Sequence, residues 1–303
     1  MTWNSSRVPA GLAAVVVAFG LAVAPLPREG ILTSELQDAL HAIGFAVFTF
    51  VLLHAIERSA PATRRWTHLG LALAFALALA VGTEGIQKFT PRDSDPFDFA
   101  RDLLGIAIGT AAAAVPWVRT LPARTLLVVA AVIGTGAALS PLYSTLRALD
   151  ARQARFPVLH DFEEAWERLF LATRGGDLRF DSEGHARLTL IEGNYPALIV
   201  REFPSDWSGY DRLSFRIAAE GDVPTDVAIR VDDVLHDGTY HDRFQTRVRV
   251  DAEWRDVTIP LRAIREGPRD RHLDLSAVKT VVLFGTPNTP RPLVLRVDDL
   301  RLE

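Results

Sequence analysis

The distribution of apolar residues divides this chain into two parts that suit different solvents. Residues 1 to about 145 contain long runs of Ala, Leu and Val with few charges, whereas residues from about 156 onward alternate charged with β-branched residues. A bilayer core requires about 20 apolar residues per helix, and a period of two is typical of strands. We therefore expect an α-helical membrane bundle of about five transmembrane helices, followed by an all-β jelly-roll sandwich.

Segments that approach the length of a membrane span define the first domain, residues 1–145. They are residues 8–26, 39–56, 66–82, 103–118 and 121–143. We interpret the first run as a retained anchor, because further spans follow it and no clear small-residue cleavage site ends it. A polar linker, residues 146–156, then leads to the second domain, residues 157–303.

Basic residues in short loops predict the orientation of the bundle, because they favour the cytoplasmic side. The loop after the second span and the turn after the fourth carry them: Arg58, Arg64, Arg65, Arg119 and Arg124. Three arginines just after the last span argue mildly the other way. We expect a multi-pass protein of the cytoplasmic membrane, with residues 83–102 and the C-terminal domain outside the cytoplasm.

A dense polar stretch, TEGIQKFTPRDSDPFDFARD, lies between two of the most apolar segments at residues 83–102. Glu84 and Gln87 are three residues apart and would share a helix face at the outer end of the third span. Two prolines then break the helix, and Asp98 is the expected N-cap of the helix that follows.

The next helix carries two carboxylates and two glycines at helical spacing, so that they form one stripe. They are Asp98, Asp102, Gly105 and Gly109. Glycines in such a stripe let a neighbouring helix approach closely, and ionisable groups at a membrane boundary mark a site or a structural pair. The expected polar cap is His41, Glu84, Gln87, Arg92, Asp98 and Asp102. The alternative is a solvated loop in which Arg92 and Arg101 pair the acids.

The motifs EGIQKFTPR and DFARDLLGIAIG resemble the signature of the VanZ-like membrane family over roughly residues 25–120. The matching positions are Glu84, Gln87, Phe89, Pro91, Arg92, Asp98, Gly105 and Gly109. Asp102 departs from the family, which usually has Asn there, and QDALH keeps His41 but shifts the preceding Asp by one place. The family is associated with glycopeptide resistance, so the resemblance implies a cell-envelope protein without a settled chemistry.

The second domain consists of short alternating runs separated by Gly, Pro, Asp and Asn turns. These runs are LTLI, ALIVREF, DRLSFRI, DVAIRVDD, QTRVRVD, RDVTIPL, TVVLFG and LVLRVDDLRLE. Their number and spacing predict a β-sandwich. Before them, DFEEAWERLF fits one face of a short amphipathic helix, and the alternative is an opening strand at HDFE.

Four phrases of this domain, in this order, resemble carbohydrate-binding-module and galactose-binding-like sandwiches. They are DWSGYDRLSFRI, WRDVTIPLRAI, LDLSAVKTVVLFG and LRVDDLRLE. The resemblance covers nearly the whole domain and implies an envelope glycan or a lipid-linked sugar as a partner. Trp207, Tyr210 and Trp254 lie within or beside these phrases, and we expect them to be core or strand-edge aromatics.

The most polar and aromatic loop, RVDDVLHDGTYHDRFQ at residues 230–245, is the candidate binding site. Its candidate glycan-binding residues are Asp232, His236, Tyr240, Asp242 and Arg243. Polar side chains there would bond sugar hydroxyls, while Tyr240 stacks on a pyranose face. The alternative is a long hairpin whose charges are merely solvated.

Several other kinds of chemistry are not indicated. The chain has no cysteine, which excludes disulfides and thiolate metal sites, and its net charge of -4 without a basic cluster argues against nucleic acid. No GxSxG, HExxH, P-loop or dinucleotide-binding fingerprint occurs. No cofactor is expected; Asp298 and Asp299 are weak candidates for binding a structural calcium ion.

Three functions remain open from the sequence. The first is an envelope membrane protein that recognises or acts on surface glycans or lipid-linked sugars through its outer sandwich. The second is a membrane enzyme on lipid-linked glycans, with Glu84 and Asp98 as acid and base and Arg92 holding a phosphate. The third is a membrane anchor that displays a protein-binding sandwich. Membrane lipid is an expected partner in all three.

Overall fold

The structure is a computed structural model that describes residues 30–59, 65–87, 96–221 and 223–303, together with Gly20. The chain divides into two compact units between Leu146 and Arg147. The predicted first span, residues 8–26, lies outside the described residues except for Gly20.

Long apolar helices dominate the first unit, as predicted. They are α1 (Ile31–Ser59), α2 (Arg65–Gln87), α3 (Pro96–Ala114) with a short 3-10 turn (Val115–Trp117), and α4 (Leu121–Arg155). By length and composition, these 4 helices could each cross a membrane. The segment interpreted as a linker, residues 146–156, is helical up to Arg155, because α4 continues beyond the apolar run.

The glycine stripe of α3 packs closely on α1, as its spacing predicted. A Cβ atom at Gly105 would overlap the carbonyl oxygen of Ala42, and one at Gly109 would overlap that of Ala46. The prediction for Asp98 was wrong in one respect. Helix α3 begins at Pro96, a residue suited to the first helical position, so Asp98 lies inside the first turn and is not the N-cap.

The second unit is an antiparallel β-sandwich. Its strands are β1 (Val158–His160), β2 (Leu171–Arg174), β3 (Gly176–Phe180), β4 (Ala186–Leu190), β5 (Ala197–Arg201), β6 (Arg212–Glu220), β7 (Thr225–Asp233), β8 (Phe244–Val250), β9 (Arg255–Pro260), β10 (Val278–Gly285) and β11 (Leu293–Leu302). A 6-stranded sheet has the order β3-β4-β11-β6-β9, with β1 also paired to β11, and a 5-stranded sheet has the order β2-β5-β10-β7-β8. A five-residue helix, α5 (Leu261–Arg265), follows β9.

All the strands predicted from alternating runs are present, whereas β1, β2 and β3 were not among them. Strands β2 and β3 each lie at an edge of a sheet and are short and polar, so their alternation is weak. The helix interpretation of the segment before them is confirmed in part, whereas an opening strand at HDFE is wrong, because β1 ends at His160. Val158–His160 is a strand, and Ala165–Phe170 is a short helix of the 3-10 type.

The core lies between the two sheets and is built from the inward-facing residues of both. The burial of β4 alternates strictly, with Ala186, Leu188 and Leu190 buried. Trp207 is fully buried in this core, and Tyr210 packs against it, which confirms their predicted role. Trp254 is half-buried, with the guanidinium groups of Arg216 and Arg296 5.1 and 4.9 Å from its ring centroid.

A buried ionic network lies where the chain enters the sandwich. Arg152 is 2% exposed and its Nη2 donates to Nε2 of His160 at 3.0 Å. That ring nitrogen therefore carries no proton, and Nδ1 of His160 donates to Oε2 of Glu167 at 3.0 Å. Arg155 donates to Oε1 of Glu167 at 3.0 Å and also pairs with Asp161.

Burial sets the protonation of this network. Desolvation, followed by the nearby Arg152 and Arg155, holds the pKa of His160 well below its usual range, in agreement with a neutral ring. Desolvation also raises the pKa of Glu167, while the Phe162 amide and Arg155 oppose that rise. The carboxylate of Glu167 is the central acceptor of the network, with bonds from His160, Arg155 and the amide of Phe162.

Candidate functional site: the outer face of the five-stranded sheet

The outer face of the five-stranded sheet carries an apolar patch that does not belong to the core. Alternate strand residues point to opposite faces, so the neighbours of the core residues Leu198, Val281 and Ile229 face outward. These outward residues form a separate cluster, consisting of Ala197, Ile199, Ala228, Val282 and Phe284. Ala197 and Ala228 are fully buried and Phe284 is 6% exposed, so the surrounding side chains of the face largely cover this cluster.

One row of this face runs straight across all the strands. Arg174 of β2 lies opposite Ala197 of β5, which lies opposite Phe284 of β10. Phe284 lies opposite Ala228 of β7, and Ala228 lies opposite Arg247 of β8. Neighbouring strands are about 4.8 Å apart, so the row is about 19 Å long. We call it the transverse row; it has an exposed arginine at each end and three buried apolar residues between them.

Polar groups occupy the face next to the transverse row. Nε of Arg230 donates to the two carboxylate oxygens of Asp232 at 2.8 and 2.7 Å. Thr280 of β10 donates to the same carboxylate at 2.9 Å. Gln245 lies opposite Arg230 on β8 and accepts a bond from Arg243 at 2.9 Å. Asp232 is 3% exposed, so the polar groups that the face offers to a ligand are those of the half-buried Arg230 and Gln245.

Exposed aromatic rings flank these polar groups. Tyr195 is 49% exposed and packs edge-on against Phe284, with ring centroids 6.1 Å apart. Its backbone carbonyl accepts a bond from Arg174 at 3.1 Å. Tyr240 is 61% exposed, and the guanidinium of Arg243 lies 5.0 Å from its ring centroid. Rings that are both exposed and braced in this way are suited to contact a flat ligand.

The candidate loop is a hairpin between β7 and β8, and the structure brings its predicted residues together. Nε2 of His236 lies 3.8 Å from Asp232, and Nδ1 lies 3.5 Å from a carboxylate oxygen of Asp242. Nδ1 of His236 donates to the backbone carbonyl of Asp242 at 2.7 Å. Arg243 and Tyr240 form the stacked pair on the same hairpin.

Asp242 has a structural partner that the sequence did not reveal. Arg271 pairs with the carboxylates of both Asp242 and Asp233, and it lies 29 residues from Asp242 in the chain. The bond from Arg271, together with the amide of Asp237, lowers the pKa of Asp242 to about 2. Asp242 is therefore a charged residue that stabilises the hairpin through its ion pair with Arg271. Asp232 is likewise bonded by Arg230 and Thr280.

A pocket of about 260 Å³ adjoins the β8 end of the transverse row. Its polar lining includes Arg247, Arg249, Asp226, Asn288 and Thr289. Arg249 lies 4.0 Å from Asp226, whereas Arg247 reaches the pocket from the end of the transverse row. The pocket can receive a polar substituent of a ligand that lies on the face.

A candidate set of metal ligands differs from the one predicted. Within the described residues, His236, Asp237 and Asp242 offer ligand atoms within 4.8 Å of one another. Calcium prefers six to eight oxygen ligands, so this mixed set suits it poorly. Asp298 and Asp299, the predicted candidates, pair instead with Arg216 and Arg301.

Part of the predicted polar cap forms a buried cluster between α1 and α3. Nδ1 of His41 lies 3.3 Å from Asp102, with both side chains 2% exposed. Arg101 pairs with Asp98 at 2.9 Å and with Asp38 of α1 at 3.0 Å. The alternative interpretation had Arg101 pair the acids in a solvated loop. Arg101 does pair them, but Asp98 is buried and Asp38 is half-buried. Arg92 and the side chains of Glu84 and Gln87 lie outside the described residues.

Most residues of the sheet face were missed by the sequence analysis. Arg230 and Gln245 lie within the loop singled out, but Arg174, Tyr195, Arg247, Thr280 and Phe284 come from other segments. A signal was available in the outward positions of the predicted strands, since the polar residues of AIRVDD and QTRVRVD recur with a period of two. The alternating pattern does not predict which strands are neighbours in the sheet.

The sandwich is similar in structure to several solved proteins. The family 11 carbohydrate-binding module of a cellulosomal cellulase of Clostridium thermocellum is 17% identical, with a TM-score of 0.37, over 48% of this chain and 92% of that chain. The family 30 module of another cellulosomal cellulase of Clostridium thermocellum is 20% identical, with a TM-score of 0.35, over 44% and 86%. An exo-beta-agarase is 16% identical, with a TM-score of 0.38, over 48% and 24%. No family model and no curated protein matches the chain, so the VanZ-like resemblance stays a prediction.

Proposed function

We propose that the second unit binds glycans on the outer face of its five-stranded sheet, and that the apolar helices anchor it in a membrane of the cell envelope. The observation that carries the proposal is the composition of that face. Exposed Tyr195 packs on Phe284 of that face. Exposed Tyr240 contacts Arg243, whose bond to Gln245 connects it to the polar centre of the face.

This combination matches the chemistry of a sugar ring. A pyranose has a flat apolar face and a rim of hydroxyl groups. An aromatic ring provides a stacking partner for the face, and positioned carboxylate, hydroxyl and guanidinium groups bond the hydroxyls. The strands of that face lie side by side, so a chain of several sugars could lie across them, with exposed Tyr195 contacting a ring.

The membrane part of the proposal rests on the four long apolar helices and on their close packing. Asp98, Gly105 and Gly109, three positions of the VanZ-like signature, lie on α3, where both glycines contact α1. That arrangement supports keeping the resemblance as part of the proposal. The arginine distribution supports an extracytoplasmic sandwich, and either surface glycans or lipid-linked sugars would then be within its reach.

The test is a titration of the full-length protein in lipid nanodiscs against a panel of neutral and charged envelope glycans. We expect saturable binding that weakens about tenfold, or 1.4 kcal/mol, in Tyr195→Ala. Tyr240→Ala tests separately whether the hairpin between β7 and β8 contributes to glycan affinity. The matched control is Tyr143→Ala, which removes a 60% exposed tyrosine from α4.

Two results would contradict the proposal. One is the lack of saturable binding to every glycan of the panel by folded protein. The other is binding that survives Tyr195→Ala and Tyr240→Ala together, because the contact would then lie elsewhere. Folding of each variant is checked by hydrogen exchange of the β4 and β11 amides, which lie in the other sheet.

A further inference from the structure

The outer face of the five-stranded sheet has an excess of positive charge. Its outward strand positions, taken by alternation along β2, β5, β7, β8 and β10, carry arginines and two aspartates: Arg174, Arg201, Arg230, Arg247 and Arg249 against Asp226 and Asp232. The chain as a whole has a net charge of -4, so this excess is local to the face.

The aspartates of the face do not neutralise the ends of the transverse row. Asp232 is held by Arg230 at 2.6 Å, and Asp226 lies 4.0 Å from Arg249. Within residues 147–221 and 223–303, Arg174 and Arg247 have no carboxylate within ion-pair distance. Both ends of the row therefore carry an exposed guanidinium that a ligand can reach.

We propose that the ligand of this face is an acidic glycan, a sugar chain that carries carboxylate or phosphate groups. This inference rests on the proposed function and specifies its ligand class. A guanidinium binds a carboxylate or a phosphate through two parallel hydrogen bonds, a geometry that a neutral hydroxyl cannot match. Complementary charge across an interface selects one partner over a neutral analogue.

The sugar rings and the acidic groups contact different residues of the face. Exposed Tyr195 contacts a sugar ring. Arg174 and Arg247 lie about 19 Å apart, four strand spacings, and hold acidic groups of the same chain. The pocket of about 260 Å³ beside Arg247 can receive one such group, and the side chain of exposed Asn288 can donate a hydrogen bond to it.

The experiment compares matched probes on the full-length protein in phosphatidylcholine nanodiscs. Hexasaccharides of three backbones (glucan, galactan and mannan) are used in their neutral, C6-carboxylated and C6-phosphorylated forms, which separates the two sources of negative charge. We expect at least one charged form to bind ten times more tightly than its neutral parent. The preference should shrink as salt is raised, because these arginines are exposed.

Two variants and a control test whether Arg174 and Arg247 cause the preference for charged glycans. Arg174→Gln and Arg247→Gln should each reduce the ratio of charged-form to neutral-form affinity about tenfold or abolish the preference. Arg179→Gln removes an exposed arginine from β3 of the other sheet and should leave the preference intact.

The outcomes separate this inference from the proposed function. Equal binding of charged and neutral forms overturns the acidic ligand and leaves glycan binding standing, whereas failure of every probe to bind overturns both. Competition by anionic lipid vesicles or by a DNA oligonucleotide as effective as that by the acidic hexasaccharide also overturns the inference, since the face would then select charge and not a sugar. The inference is also overturned if Arg179→Gln loses the charged-over-neutral preference as much as Arg174→Gln and Arg247→Gln do.

Discussion

Replacing Glu167 with glutamine tests whether the buried network stabilises the sandwich. The carboxylate accepts bonds from the amide of Phe162 at 2.9 Å, from Arg155 at 3.0 Å and from Nδ1 of His160 at 3.0 Å. Glutamine has the same shape but one acceptor oxygen, so its NH2 group must face at least one of these donors. The guanidinium of buried Arg152 would also lose one of its nearby negative charges, since both Glu167 and Glu202 act on it.

The size of the effect follows from these contacts. Each hydrogen bond to a charged group contributes about 1.5 to 3 kcal/mol, and breaking a buried ion pair by removing one partner costs about 3 to 5 kcal/mol. We therefore expect Glu167→Gln to lower the free energy of unfolding of the second unit by about 3 to 5 kcal/mol. For a unit of this size the melting temperature should fall by about 10 °C.

The assay is native-state hydrogen exchange of the full-length protein in nanodiscs at pH 7, read on the amides of β4 and β11. Glu163→Gln is the matched control, because Glu163 is exposed and lies in the same segment; its effect should stay within about 0.5 kcal/mol. A loss in Glu167→Gln no larger than that of the control would refute the reasoning.

Two further predictions concern helix packing and the hairpin. Gly109→Ala should destabilise the protein by about 1 to 3 kcal/mol, because the new Cβ would overlap the carbonyl of Ala46. The control is Gly136→Ala, whose Cβ would meet nothing within 4 Å and which should not destabilise the protein. The temperature of thermal aggregation in detergent measures both effects, and an equal decrease in the two variants would contradict the packing. Arg271→Met should destabilise the hairpin at neutral pH, because Arg271 holds the pKa of Asp242 at about 2, below its ordinary 3.8. The stability that comes from a lowered carboxylate pKa is present above pH 3.8 and is lost as the pH falls toward 2. The melting temperatures of wild type and variant should therefore converge near pH 2. A difference in melting temperature that does not change with pH would contradict the pairing.

The sequence alone predicted the features that depend on residues close together in the chain. Apolar runs of bilayer length predict α1 to α4, because a helix satisfies its own backbone bonds and needs only a continuous apolar surface. The stripe of Gly105 and Gly109 predicts close helix packing, since both residues lie on one face of one helix. Alternation with a period of two predicts the central strands, and turn residues predict where they end.

Short or edge elements were harder to predict for a physical reason. Strands β2 and β3 have one neighbour each, so selection for apolar alternation on them is weak. Helix α4 continues to Arg155 although its apolar run ends earlier, because Arg152 is stabilised by contacts with His160 and Phe170 that lie later in the chain. A boundary set by tertiary contacts leaves no local signal.

The candidate site shows most clearly what only the tertiary structure decided. The hairpin that carries His236, Tyr240 and Asp242 is one continuous segment, and sequence analysis found it. The transverse row from Arg174 to Arg247 joins strands β2, β5, β10, β7 and β8, whose order in the sheet differs from their order in the chain. Strand pairing is settled by the burial of one whole face against the core, and that long-range choice determines which outward side chains meet.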